Sequence, residues 1–138
     1  MTNPMTNPLI DRPGTLWAGR VMSGLVVTFM LGASVFPKLF LPAVAEEAMD
    51  PLGWGPHHIL LLAALEVACT VTYAIPRTAP LGAVLLTGLL GGAIAAHVRV
   101  GNPLLTHTLF PLWVGILAWG GLWLRDARIR ALAPWHAA

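Results

Sequence analysis

One acidic residue interrupts the apolar run Ile59–Ile75: Glu66, about seven residues, or ~10 Å of helix, from the end of that run. A carboxylate sunk that far into hydrocarbon costs on the order of a few kcal/mol unless it is protonated or paired. Helical spacing places Thr70, Tyr73 and Arg77 on the same stripe. The stripe is therefore expected to face other helices rather than lipid. Neighbouring apolar segments carry Lys38, His97, Arg99 and His107 at a matching depth. Acid, cations and imidazoles together suit three kinds of chemistry. They can form a buried pair that fixes helix register, a site for proton or ligand handling, or a protonated acid bonded to a backbone carbonyl. Lys38 or Arg99 taken singly reads as an interfacial anchor with its charge snorkelling to water. Taken together, Lys38, Glu66, His97, Arg99 and His107 are expected to converge on one polar pocket, with Thr70 and Tyr73 behind Glu66 on its stripe.

Other chemistries lack their residues. His57 and His58 are adjacent and diverge by ~100° on a helix. His97 and His107 have no recognised ligand spacing, so neither a metal nor a haem is expected. Cys69 is the single cysteine, which removes an internal disulfide, a CxxC redox pair and a thiolate zinc site. A four-helix quinone-linked disulfide enzyme would need paired cysteines. No phosphate-binding Gly-rich loop, serine triad or zinc-protease motif is present.

The elements that must position these groups are apolar throughout. Of 138 residues, 57% are hydrophobic and 10% charged, with a mean hydropathy of +0.73. Soluble domains carry about a quarter charged residues, and disordered chains are less apolar still. The sequence pI is 9.3. It rests on eight Lys and Arg against six acids, with no basic run interleaved with aromatics, so nucleic acid is not an expected partner. Four apolar runs stand out, at 21–36, 59–75, 79–96 and 108–124. Each is roughly 16–18 residues, or about 24–27 Å of helix, long enough to span with snorkelling flanks. Gly, Ser and Thr are nearly their only interruptions, and no polar stripe runs along them.

The expectation is an all-α integral membrane protein, an antiparallel four-helix bundle occupying residues 16–132. Residues 1–15 read as a disordered cytoplasmic tail and 133–138 as a short C-terminal one. Pro76–Pro80 can form only a tight turn, and Gly101-Asn102-Pro103 breaks the chain before the fourth helix. Between the first and second helices, Ala43–Met49 after Pro42 reads as a short interfacial helix. Trp17, Trp54, Trp113 and Trp123 fall near boundaries as an aromatic belt, and Trp119 lies deeper. Gly88 and Gly92 form a GxxxG pair suited to close helix approach, and Gly115 and Gly121 mark another small-residue face. These faces suit homo-oligomers unless the bundle itself consumes them. Arg20, the first apolar run and Ala43-Val44-Ala45 also fit a cleaved signal peptide; Lys38 and the long spacer argue against it. With four crossings, one side collects Arg12, Arg20, Arg77, Arg125, Arg128 and Arg130, and the other keeps Lys38 and Arg99. That asymmetry places both termini in the cytoplasm.

The order of these residues resembles a family. Arg20-Val21-Met22-Ser23-Gly24, then Phe29, Gly32 and Lys38-Leu39, is similar to the first-helix pattern of DoxX-like membrane proteins. Leu65-Glu66, Ile75-Pro76-Arg77-Thr78-Ala79 and Leu81-Gly82-Ala83 resemble their hairpin. Leu86-Thr87-Gly88, His97 through Gly101, Pro103-Leu104, His107 and Phe110-Pro111 through Arg125 resemble one bacterial branch. The resemblance covers nearly all of Arg20–Leu132. It implies a small four-helix protein of the bacterial inner membrane. The family takes its name from a subunit of a thiosulfate:quinone oxidoreductase, and other members are linked to redox or thiol stress. The family's Lys and Glu correspond to Lys38 and Glu66, which become pocket residues with no catalytic role assigned. The expected function is binding of a quinone or other small lipophilic molecule as accessory to a redox system, in the lipid bilayer and beside a membrane redox partner. The competing expectation is a non-catalytic helper or assembly subunit packing against a partner through its glycine faces. A transporter is disfavoured because no pair of broken helices is present.

Overall fold

A computed structural model describes residues 13–132; the N-terminal tail up to residue 12 and the C-terminal tail from residue 133 lie outside the described residues. Among the described residues six helices follow in order, with a short 3-10 turn at Asp50–Leu52 after the second: α1 Pro13–Phe40, α2 Pro42–Met49, α3 Pro56–Ala74, α4 Ala79–Arg99, α5 Leu104–Arg125 and α6 Ala127–Ala131. Residues 13–15, within the stretch expected to be tail, are already helical. No strand occurs among the described residues. Helices α1, α3, α4 and α5 are each long and apolar enough to cross a membrane, at 28, 19, 21 and 22 residues. Helices satisfy their own backbone groups, which hydrocarbon cannot do for them. The chain therefore forms an all-α, four-span bundle, with α2 as the expected short helix between its first two spans.

Proline sets several starts. Pro42 and Pro56 each occupy the first helical position, where the missing N–H costs nothing and φ is already helical. The α3–α4 turn closes within a few residues, and the Thr78 hydroxyl donates to the Thr72 carbonyl at 2.8 Å. In the ring, α1 packs on α3 and α5, while α4 packs on the same two helices from the opposite side. The core runs along this ring through Val26, Met30, Tyr73, Leu86, Val114 and Leu122.

The close approaches come from glycines other than the GxxxG pair. A Cβ on Gly82 would stand 2.2 Å from the Tyr73 backbone nitrogen, so α4 lies directly on α3 beside the hairpin. A Cβ on Gly19 would stand 2.8 Å from the Gly121 carbonyl oxygen, and one on Gly121 would stand 2.7 Å from the Ser23 hydroxyl. The Gly121 face is thus consumed within the bundle. Gly88 and Gly92 have nothing within 4 Å of an added Cβ. Contrary to the expectation for a GxxxG pair, they open space instead of closing it. Helices pinched together at the hairpin end diverge toward the other end, and these glycines sit where they have parted.

The hairpin end is also the basic end. Arg125 lies 5.4 Å over the Tyr73 ring, Arg128 donates to the Pro76 carbonyl at 3.0 Å, and Arg130 donates to Trp123 and Leu124 carbonyls. Guanidinium groups there answer carbonyls left open where α3 and α5 end. Asp126 caps α6 by accepting from the Arg128 backbone N–H at 2.9 Å. The Arg128 side chain, hydrogen-bonded to both oxygens of that carboxylate, holds Asp126 below the usual carboxylate range. A lowered folded value means the contribution to stability is complete above the ordinary carboxylate value of about 3.9 and disappears as pH falls through the lower folded value. Thermal unfolding in mild detergent is expected to lose this increment on acidification in the native chain. The Asp126→Asn variant should lack that part of the pH dependence.

Candidate functional site

The site begins with a proline inside a helix. Pro37 lies within α1, where its ring presses on the carbonyl four residues back and no N–H is offered to the preceding turn. Helices in lipid absorb such a defect by local widening, and residues Met30–Val35 form a π-turn in which Phe36 N–H bonds Leu31 O. Beyond it, Lys38 turns its stem back along α1 toward Ser34 and α3. Its ammonium nitrogen stands 3.0 and 3.1 Å from the two Glu66 carboxylate oxygens, 2.9 Å from Ser34 Oγ and 3.0 Å from the Ser34 carbonyl. Ser34 Oγ in turn donates to Glu66 Oε2 at 3.0 Å.

The Lys38 and Glu66 side chains are only 6% and 12% exposed, so each charge is tolerated because the other is there. An ammonium has three N–H groups, and four acceptors already surround this one. The pair is internally satisfied.

Beside the pair lies a cavity of about 440 Å³. Phe29, Met30, Leu90, Phe110 and Val114 line its apolar walls. Phe29 and Phe110 face each other across α1 and α5, with ring centroids 5.2 Å apart. Gly88, Gly92, Ala93 and Ala96 form the α4 side, so small residues make the room. Met49, Leu52 and Trp54, from α2 and the link after it, complete the lining. Lys38, Ser34, Glu66 and His97 supply its polar atoms. Such a volume, mostly apolar with a few convergent polar groups, is what small-molecule sites present.

Three of the seven sequence-derived site residues, Lys38, Glu66 and His97, share this cavity. Arg99 is exposed and turns away: its guanidinium donates to the Leu52 carbonyl. It lies 3.0 Å from where a Cβ on Gly53 would be, so that turn (φ +77°) needs glycine for backbone and for space. Arg99 lines a smaller neighbouring hollow with Trp54, Gly92 and Ala96. His107 is exposed and bonds the Thr106 hydroxyl at 2.8 Å. Its ring nevertheless stands beside His97, with centroids 6.1 Å apart, so the two imidazoles meet as expected, but the π-turn of residues 104–108 leaves His107 outside the cavity lining.

Thr70 and Tyr73 are fully buried but sit deeper than the cavity. The Tyr73 hydroxyl donates to the Ala118 carbonyl at 2.7 Å and accepts from Ser23 at 2.9 Å. Tyr73 thereby ties three helices, and Thr70 Oγ1 has no hydrogen-bond partner. Ser34, which shares a helix face with Lys38, and Trp54, expected as a belt residue, join the site without having been counted among the seven. The signal for Ser34 was its spacing of four from Lys38 on one helix face. Among the described residues, no group of three or more His, Cys, Asp or Glu is placed to hold a metal ion.

A family model, that of the DoxX-like family, matches residues 21–121. The chain belongs to the DoxX-like family. No curated protein and no solved structure matches it. The matched span of this DoxX-like protein contains Ser34, Lys38, Glu66 and His97, together with both cavity glycines. The arginines of α6 lie beyond it. A DoxX-like chain with four helices able to span a bilayer is a multi-pass membrane protein.

Proposed function

We propose that this DoxX-like protein binds a quinone, or another small lipophilic molecule with a polar head group, as accessory to a membrane redox system. The observation that carries the reading is the cavity: apolar walls with one polar end where Lys38, Ser34, Glu66 and His97 meet. Had Glu66 been paired in a dry, filled core, a helper that only packs against a partner would be the better account. The ion pair also keeps the polar end from collapsing onto lipid, because neither charge can leave without exposing the other. The basic hairpin end is assigned to the cytoplasm, and the cavity end to the outer face of the inner membrane.

Native mass spectrometry of gently extracted protein tests the reading. The expected result is a co-purifying lipophilic small molecule that decylubiquinone displaces. A chain that leaves the membrane empty and does not take up decylubiquinone overturns it. A cavity-filling change supplies the control. Gly92→Leu projects its side chain into open space, with nothing within 4 Å of the new Cβ. Stability is expected to hold while decylubiquinone binding weakens about tenfold or more, since the added volume occupies the site. Titration of the two proteins side by side reads both quantities.

A further inference from the structure

At the polar end of the cavity, one His97 ring nitrogen has no hydrogen-bond partner among the described residues. Lys38 is saturated by Ser34 and Glu66, whereas His97 lines the cavity with one ring nitrogen engaged by Asn102 and the His107 ring beside it, centroids 6.1 Å apart. The engaged nitrogen, Nδ1, is 2.8 Å from Nδ2 of Asn102. An amide nitrogen can only donate, so Nδ1 accepts, and in the neutral ring the proton must sit on Nε2.

The chain enforces this contact. Helix α4 ends in a Schellman arrangement: Asn102 N–H bonds His97 O at 3.1 Å, Gly101 N–H bonds Val98 O at 3.1 Å, and Gly101 takes φ +70°. In that motif the residue after the left-handed glycine folds over the residue five positions earlier. Here the usual apolar contact between those two positions is replaced by an amide on an imidazole. Sequence and cap together place residue 102 on residue 97.

Building on the reading of the cavity as a quinone-type site, we infer that Asn102 fixes His97 as a hydrogen-bond donor and so selects head groups that present a carbonyl acceptor at that edge. The oxidised, quinone form of such a molecule suits the Nε2–H group. The reduced form, which presents a hydroxyl that itself seeks an acceptor, suits it less. Asn102 is a positioning residue: it acts on the ligand only through the imidazole.

Two variants separate this role from mere structure. Asn102→Leu restores an apolar residue at the cap and frees the ring to choose its tautomer. Asn102→Asp offers only acceptors, which draws the proton to Nδ1 and leaves Nε2 to accept. Each protein is labelled with nitrogen-15 histidine, with His97→Gln giving the assignment, and examined at about pH 8, above the ordinary imidazole value of about 6.5. Affinities for decylubiquinone and for its quinol are measured on the same samples.

The native chain is expected to show His97 protonated at Nε2. Relative to it, Asn102→Asp should shift the ratio of the two affinities about tenfold toward the quinol, and Asn102→Leu should fall between. A native His97 protonated at Nδ1 overturns the inference. So does a ratio unmoved by both variants while both ligands still bind, which leaves the cavity reading intact. Failure of both ligands to bind the native chain overturns the cavity reading, and the selection argued here falls with it.

Discussion

Replacing Lys38 with Met is expected to destabilise the bundle by about 3–5 kcal/mol, the range for removing one member of a buried pair. Methionine keeps the length and the apolar stem, so the loss is electrical rather than volumetric. Glu66 would retain the Ser34 hydroxyl at 3.0 Å and nothing cationic on its carboxylate, at a depth where solvent contributes little. Two routes out are open to it, and both disturb the site. Protonation removes the acceptor that holds the polar end of the cavity in place. Rotation toward water drags α3 away from the π-turn of α1. Equilibrium unfolding in a mild detergent reads the effect. Stability within about 0.5 kcal/mol of the native chain, at neutral pH and with ligand binding intact, would contradict it.

Gly82→Leu is expected to be as damaging, for a steric reason. The new Cβ would stand 2.2 and 2.3 Å from the Tyr73 backbone nitrogen and Cα, and 2.6 Å from the Thr72 carbonyl carbon. Overpacking costs about 1–3 kcal/mol where side chains can yield; here the obstacle is backbone, so the cost should be at least about 3 kcal/mol. Helices α3 and α4 would have to separate, and Tyr73 would lose its ties to Ser23 and Ala118. Gly88→Ala and Gly92→Ala on the same helix make the contrast sharp. With open space at both positions and a gain of up to about 1 kcal/mol in helix propensity, they should be neutral or stabilising. The same equilibrium unfolding in detergent ranks all three. A Gly82→Leu protein as stable as Gly92→Ala would refute the pinched-and-splayed geometry.

These two cases show how far the sequence could be read. Four spans, the hairpin and the short helix between the first two spans were legible because uninterrupted apolar runs, prolines and turn residues leave few alternatives. The Lys38–Glu66 pairing was legible as well, because a lone acid in hydrocarbon demands a cation at its own depth. The glycines were not: Gly82 and Gly92 are identical as letters. Which one touches a backbone and which one opens a cavity depends on where the helices diverge, a property of the whole ring. That His107 meets His97 yet stays out of the cavity lining, and that Arg99 turns away, escaped for a local reason. Projecting a side chain from regular helical phase fails across a π-turn, as at residues 104–108. A long guanidinium also takes the nearest open carbonyl, which for Arg99 is Leu52 and not the distant carboxylate. Ser34 shares a helix face with Lys38 by spacing alone, but that the ammonium folds back onto its hydroxyl, which in turn donates to Glu66, shows only in three dimensions.

Everything about the polar end follows from Lys38 and Glu66 acting as one unit, and a double-mutant cycle measures that directly. Unfolding free energies of the native chain, Lys38→Met, Glu66→Gln and the double variant are compared at one pH in one detergent. The account predicts strong coupling, above about 1.5 kcal/mol, with the double variant more stable than the sum of the single losses implies. Additivity within about 0.5 kcal/mol would mean that the two groups do not sense each other, and that some other feature keeps a carboxylate in the membrane.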